Sequence, residues 1–368
     1  MNKPELPKRI VLTGGPCAGK TSVLNHIVEQ CAKKDIKVFC VPEVASILIG
    51  GGADLGALDM KGLLEFERNL ISTQLLLEDT YFDLAKRWPG PAVVICDRGT
   101  MDVSAYLPPH VWQVLLDGNG WTDVALRDQR YDAVIHLVSA AVSAPEFYTT
   151  ANNAARSETP EQAAALDRAV QTAWIGHPHL RVVNTTQSFD DKIQQTLSLV
   201  ESLIGLEGHL EIEKKYLIEE GFDAALLPVP HKTFQIEQTY LESPDGIVER
   251  VRKRSGSGAS VYTHTIKMDI EPGVRKETES IISGDDYINL LQRADDNVHV
   301  VKKERRCFLW QDQYFELDSL VSPHKGLQLL ELELDSQDQA FDLPDFLPVA
   351  QDVTENKRYT NYGLAQKA

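Results

Sequence analysis

The eight residues from Gly14 to Thr21, Gly-Gly-Pro-Cys-Ala-Gly-Lys-Thr, restrict this chain more than any others. They fit the spacing G-x-x-x-x-G-K-[ST] at every position. An apolar run, Arg9-Ile-Val-Leu-Thr13, precedes them, and a helical pattern from Thr21 to Lys33 follows. A strand, a glycine-rich turn and a helix in that order form a phosphate cradle: backbone N–H groups curl round the anion and the helix adds the positive end of its dipole. Such a unit sits on the C-terminal edge of a parallel sheet. The first half of the chain must therefore be searched for further buried strands.

It supplies them. Lys37–Val41, Ala92–Cys96, Ala133–Val138 and Arg181–Val183 read as short apolar strands. Between them lie helical patterns over Lys61–Arg87, Thr159–Trp174 and Asp190–Leu206. This alternation predicts an α/β domain with a parallel sheet and helices on both faces. Gly14, Gly15, Pro16, Cys17, Ala18, Gly19, Lys20, Thr21 and Ser22 are the expected nucleotide-binding residues, with Lys20 on the β- and γ-phosphates and Thr21 on Mg²⁺. Asp97, at the end of an apolar strand, is expected to face the same crevice as the second Mg²⁺ partner. Glu43, just after the second strand, is placed to touch substrate or act as a base.

Near Gly205-Leu-Glu-Gly208 the pattern changes. The expected domains are 1–206 and 207–368. The second half reads as successive strands at hairpin spacing, hence antiparallel and barrel-like. Its strands break the ordinary rule that one face is apolar and the other polar. Glu211/Glu213/Lys215, Arg250/Arg252, Glu277/Glu279, Lys303/Arg305, Glu316/Asp318 and Glu331/Glu333 each place charges two residues apart, on one face, and Lys267 adds another cation. If these faces converge, they line a tunnel with both signs of charge. Unpaired buried charges are too costly to persist, so such a tunnel must hold something multiply charged. Acidic pairs suit hard divalent cations and basic pairs suit phosphate oxygens, so metal plus polyphosphate satisfies both.

Two resemblances follow from these residues. Gly14–Ser22, Glu43 and Asp97-Arg98-Gly99 resemble P-loop kinases of the nucleoside and nicotinamide-ribonucleotide kinase type. That resemblance implies a lid arginine, for which Arg156 in the polar stretch Thr149–Glu158 is the match. The second half resembles the CYTH domain of the triphosphate tunnel metalloenzymes, whose first-strand signature Glu-x-Glu-x-Lys is here Glu211-Ile-Glu213-Lys-Lys215. It implies an eight-stranded antiparallel barrel that turns over a triphosphate with Mg²⁺ or Mn²⁺. It further implies Glu211, Glu213, Glu277, Glu279, Asp318, Glu331 and Glu333 as metal ligands or water activators. Lys215, Arg250, Arg252, Lys267, Lys303 and Arg305 become the clamp on the substrate, and Lys357 in the last segment a further tunnel residue.

The function expected is that of an enzyme: an ATP- or GTP-binding domain followed by a metal-dependent triphosphatase acting on a nucleoside triphosphate or an inorganic or organic polyphosphate. A regulatory nucleotide-binding protein without turnover, and a small-molecule kinase using the first domain, stand as alternatives. The net charge of −17 argues against nucleic acid as a partner. Five scattered cysteines without a Cys-x-x-Cys pair, and no apolar stretch long enough to span a bilayer, lead to the expectation of a cytoplasmic protein.

Overall fold

The computed structural model describes residues 6–143, 159–184, 188–205, 212–271, 274–336 and 339–367, with the backbone alone for 269–271 and 274–277. The chain divides into two compact units, residues 1–208 and 209–368.

In the first unit, β1 (Lys8–Thr13) runs into α1 (Lys20–Lys33), and β2 (Lys37–Val41) into α2 (Val44–Gly50) and the long α3 (Met60–Lys86). Then come β3 (Ala92–Asp97), α4 (Pro109–Asn119), β4 (Ala133–Leu137), α5 (Ala140–Ser143), α6 (Pro160–Ala173), β5 (Leu180–Val183) and α7 (Phe189–Leu203). The five strands pair in parallel in the order β2-β3-β1-β4-β5. β1 lies between β3 and β4, so the turn that leaves it stands at the centre of the sheet's C-terminal edge. Ile10, Leu12, Val93, Ile95, Ile135 and Leu137 are all buried against helices, which is why these strands read as continuous apolar runs. One helical layer presents Val23, Ile27 and Cys31 from α1 beside Ile193, Leu197 and Val200 from α7. Each large side chain buried in this way stabilises the unit by about 1.5–3 kcal/mol.

α2 and α4 have no counterpart among the sequence expectations. Of α2 only Val44 is buried, so its apolar residues show no helical stripe. α4 opens on Pro108-Pro109, which reads as a loop until Pro109 is seen at the first helical turn, where a missing N–H costs nothing. α3 was expected one residue later at each end. It starts where the Asp59 carboxylate accepts the Gly62 N–H at 2.8 Å. Its inward stripe holds Glu67, Ile71, Gln74 and Glu78. Gln74 donates to Glu78 at 2.7 Å and to the Arg98 carbonyl at 3.3 Å, and Tyr131 donates to Glu78 at 2.8 Å.

Among the described residues the second unit is an antiparallel sheet of nine strands, one more than the eight implied by resemblance. They are β6 (Ile212–Ile218), β7 (His231–Leu241), β8 (Ile247–Gly256), β9 (Ala259–Glu271), β10 (Val274–Ile282), β11 (Val301–Trp310), β12 (Gln313–Ser322), β13 (Gln328–Leu334) and β14 (Val349–Asp352). Their order is β10-β9-β8-β7-β11-β12-β13-β6-β14. The short β14, added beside β6, makes the ninth. The apolar alternates form the outer layer: Phe308, Phe315, Leu317, Leu330 and Leu332 pack with Leu347 on one flank. On the other flank Val251 packs with Tyr287 of α8 (Gly284–Leu291). The charged alternates share the opposite face. Part of that face is apolar instead, where Tyr240, Val301, Leu320 and Leu329 pack with Leu364 and Ala365 of α9 (Asn361–Ala365).

Glu67 is 7% exposed, and burial alone pushes its carboxyl up to about 7. Its folded pKa lies above the unfolded value. Its charge therefore destabilises the protein increasingly as pH rises from about 4.5 to 7, by at most about 3 kcal/mol. Urea unfolding followed by tryptophan fluorescence, to which the first unit contributes four of the five tryptophans, should show this loss in the wild type. Glu67→Gln should flatten it.

Candidate functional site

In the first unit the turn after β1 has the conformation that its composition demands. Gly14 has φ 146° and Gly19 φ 84°. A Cβ at Gly14 would stand 2.2 Å from the Leu137 carbonyl oxygen, and one at Gly19 2.4 Å from the Phe189 ring. Neither position admits another residue. The N-terminus of α1 follows directly, with Lys20 as its first residue and Thr21 and Ser22 exposed on its first turn. Lys20 Nζ donates to the Gly14 carbonyl at 3.2 Å. Burial, with Arg98 beside it, lowers the Lys20 pKa to about 8 against the pull of Asp97, Glu43 and Asp102.

Two expected residues, Asp97 and Glu43, meet around Lys20, with Arg98 beside them. Asp97 ends β3, and its Oδ1 is buried with no hydrogen-bond partner. Burial raises its pKa, although Lys20 opposes this. An orphaned carboxylate oxygen beside the cradle has the chemistry of a ligand to a hard cation or its water. Glu43 precedes α2 and is part-buried. Burial works against its charge, but Arg98, Ser46 and Lys20 together outweigh burial and keep its pKa below the ordinary value. Arg98 Nε donates to Glu43 at 2.5 Å, and Arg98 Nη1 to the Gly14 carbonyl and to Asp102, both at 3.3 Å. Sequence reasoning quoted Arg98 without giving it a role. Its position right after Asp97 was the available signal. Arg156 lies outside the described residues.

In the second unit the alternation brings most of the expected charges onto one face. Register sets Arg250 against Thr265 and Tyr240, and Arg252 against Thr263 and Gln238. Arg305 stands opposite Asp318, and Glu331 opposite both Lys215 and Glu316. Lys215, Lys303, Arg305, Asp318 and Glu331 are all less than 8% exposed. They form one ladder. Arg305 Nε and Nη2 donate to the two oxygens of Asp318 at 2.6 Å, and Nη2 also to Glu331 at 2.7 Å. Lys215 meets Glu331 at 2.8 Å, Lys303 donates to Asp318, and Arg305 to Glu316. Burial favours the neutral form of Glu331, but Lys215, Lys303 and Arg305 hold its pKa well below the carboxylate range. Burial also opposes the charge on Lys215, and Glu331 with Glu213 more than compensates. Asp318 and Glu331 are thus matched to cations in this arrangement.

The β8 side is different. Arg252 Nη2 donates to Glu279 at 2.9 Å, and Arg250 approaches Glu279 at 4.0 Å. Glu279 supports the Arg252 charge, but burial and the like charges of Arg250, Arg305 and Arg254 prevail and lower its pKa. Arg254, missed at the sequence level, continues the same face and lies 3.4 Å over the Phe234 ring. Carboxylates also crowd: Glu213 stands directly opposite Glu333 in the β6–β13 register. Burial raises the pKa of Glu316, and Asp318, Glu331 and Glu333 add to the rise. Like charges placed directly opposite are destabilising unless a cation joins them. Among the described residues no three His, Cys, Asp or Glu side chains gather closely enough to hold a metal by themselves. Glu211 and the side chain of Glu277 lie outside the described residues. Lys267 is half-buried on the same face as Thr265. Lys357 is not brought to this set: it opens a turn before α9 with its side chain exposed.

Residues 9–192 match the AAA domain family and residues 209–347 the CYTH domain family. The chain is 32% identical over 157 residues to an inorganic triphosphatase of Nitrosomonas europaea, an alignment that covers 42% of this chain and 96% of that protein. Among solved structures, the crystal structure of an inorganic triphosphatase shares 31% identity over 43% of this chain and 96% of its own, with a TM-score of 0.32. A protein of Pyrococcus horikoshii shares 21% identity over 35% of this chain and 80% of its own, with a TM-score of 0.29. No helix among the described residues is long and apolar enough to cross a membrane.

Breaking a buried pair from one side costs about 3–5 kcal/mol, because the partner is left uncompensated. Glu331→Ala should therefore destabilise the second unit by about that amount. Glu333→Ala removes the repulsion with Glu213 and should be neutral or stabilising. Urea unfolding read from Trp310, the one tryptophan of the second unit, measures both.

Proposed function

Because this chain belongs to the CYTH family and carries an AAA domain ahead of its CYTH domain, we propose that it is a triphosphatase that also binds a nucleoside triphosphate at a second site. Hydrolysis of inorganic triphosphate or a nucleoside triphosphate takes place on the charged inner face of the second unit. The observation that carries this reading is the crowding of positive charge on that face: Glu279 supports the Arg252 charge, yet burial and the like charges of Arg250, Arg305 and Arg254 lower its pKa, a setting that favours a further anion. A triphosphate laid along β8 supplies that anion.

In this reading Arg250, Arg252 and Lys267 grip the phosphate oxygens, Arg bidentately. The ladder beneath keeps Lys215, Lys303 and Arg305 extended toward the same substrate, so little reorganisation is needed as charge develops on the phosphoryl group. The all-carboxylate donor set suits Mg²⁺ or Mn²⁺. Glu213 and Glu333, which stand opposite each other in the β6–β13 register, would hold it, joined by Glu211, Glu277 and Glu279. Bound there, a divalent ion supplies charge neutralisation and an acidified water. Asp318 and Glu331 act by orienting the clamp. Water attacks a phosphoryl group, a phosphoanhydride bond breaks, and the shortened chain leaves with phosphate.

The first unit binds ATP or GTP with Lys20 on the phosphates and Thr21 and Asp97 toward Mg²⁺. Glu43, aligned by Arg98 at the crevice, favours transfer to a small acceptor as the second reading for this unit.

Phosphate release from inorganic triphosphate and ATP, with Mg²⁺ or Mn²⁺, tests the proposal. Arg252→Ala and Glu213→Gln should each lower the rate by about 100-fold or more. Loss of hydrolysis in Lys20→Ala but not in Arg252→Ala would overturn it. Lys20 also gives nucleotide binding a pH dependence. An anion bound at Lys20 raises its pKa above 8, so affinity should be level below about pH 7.5 and fall above pH 8, up to tenfold per pH step. Calorimetric titration from pH 6.5 to 9.5, with proton uptake on binding at the alkaline end, checks this.

A further inference from the structure

Behind the phosphate cradle lie two buried side chains of opposite charge that belong to neither the glycine motif nor the crevice. Asp167, on α6, is 2% exposed, and Lys192, on α7, is 4% exposed. We infer that Asp167 is a positioning residue for the nucleotide site, holding the cradle in its anion-binding shape from α6. The inference rests on the reading that Gly14–Thr21 bind nucleotide.

Asp167 Oδ1 accepts the Gly15 N–H at 2.7 Å and the Ser139 N–H at 3.1 Å, so one oxygen ties the cradle to the end of β4. His136, on β4, approaches the same oxygen at 3.3 Å. Lys192 makes the matching tie on the other side of the loop. Its Nζ donates to the Val138 carbonyl at 2.6 Å and to the Ala18 carbonyl at 3.3 Å. The loop is thus fastened at Gly15 through an acceptor and at Ala18 through a donor, both anchored to the residues following β4. A Cβ on Gly15 would stand 2.7 Å from the Asp167 Cβ. That contact explains a glycine at a position the motif leaves open.

α6 holds the other half of the site too. Two turns on from Asp167, Trp174 Nε1 donates to Asp102 Oδ1 at 2.6 Å. Asp102 Oδ2 accepts from Thr13 Oγ1 at 2.6 Å and from Arg98. A Cβ on Gly99 would meet the Trp174 ring at 2.7 Å. One helix face therefore sets the spacing between the cradle and the Asp97-Arg98-Gly99 segment. Preorganisation of this kind raises affinity by removing the cost of ordering the loop on binding.

Asparagine and leucine at position 167 separate this role from packing. Both N–H groups bind the same oxygen, so an amide carbonyl can replace the carboxylate, whereas leucine fills the space without accepting. With a fluorescent ATP analogue and Mg²⁺, Asp167→Asn should bind within about threefold of wild type, and Asp167→Leu should bind at least about tenfold more weakly. Asp167→Ala, which cannot overfill the site, gives the same comparison should the leucine variant not fold. Wild-type affinity in the leucine or alanine variant, or equal losses in all three, would overturn the inference. A wild-type chain that binds no nucleotide would instead remove the reading beneath it, and the inference with it.

Discussion

A protein face lined with charge can be buried only if each charge meets its opposite. In the second unit that condition is met by the ladder Lys303–Asp318–Arg305–Glu331–Lys215, in which carboxylates and cations alternate across β11, β12, β13 and β6. Its gain in stability is small, because removing such groups from water costs nearly what their attraction returns. Its consequence is positional. Lysine and arginine side chains that would otherwise sample many rotamers are held in one array. The same alternation places Phe308, Phe315, Leu317, Leu330 and Leu332 on the outer face, and so gives that flank of the sheet its core. Like charges gather beside this ladder, arginines along β8 and Glu213 opposite Glu333, and the function proposed above sets its anion and its cation there.

The first unit solves a related problem with backbone rather than side-chain charge. A loop that cradles phosphate must point several N–H groups at one spot, a conformation with little to stabilise it in the absence of the anion. Gly14 and Gly19 permit that conformation, and contacts from α6 and α7 hold it. Around it stand a lysine of lowered pKa and an orphaned carboxylate oxygen, to which the proposed function gives the triphosphate and its cation. In the function proposed above, the two units would reach the same class of ligand by different means, one with helix and loop amides and one with arginine and lysine.

Much of this was legible in the sequence because it is carried by spacing. The glycine motif, the apolar strands on either side, and charges at i and i+2 each follow from a local rule of geometry, and β2 was placed to the residue. What was not legible depended on partners distant in sequence. Asp167 reads as an ordinary exposed acid on an amphipathic helix until α6 is folded onto the cradle. Arg254 lies two residues beyond a recognised pair and gains its setting only from Phe234. Asp318 and Glu331 look in sequence like any other acidic pair members. Only register shows that their oxygens face cations, while Glu213 faces another carboxylate. α2 and α4 escaped because one lacks a buried stripe and the other begins on prolines.

On this proposal one chain holds two triphosphate sites of different construction. Its most direct test is the stoichiometry of a hydrolysis-resistant imido analogue of triphosphate, titrated calorimetrically in the presence of Mg²⁺. Two analogue molecules should bind per chain, one disappearing in Arg252→Ala and the other in Lys20→Ala. A single binding event that Lys20→Ala alone removes would contradict the account.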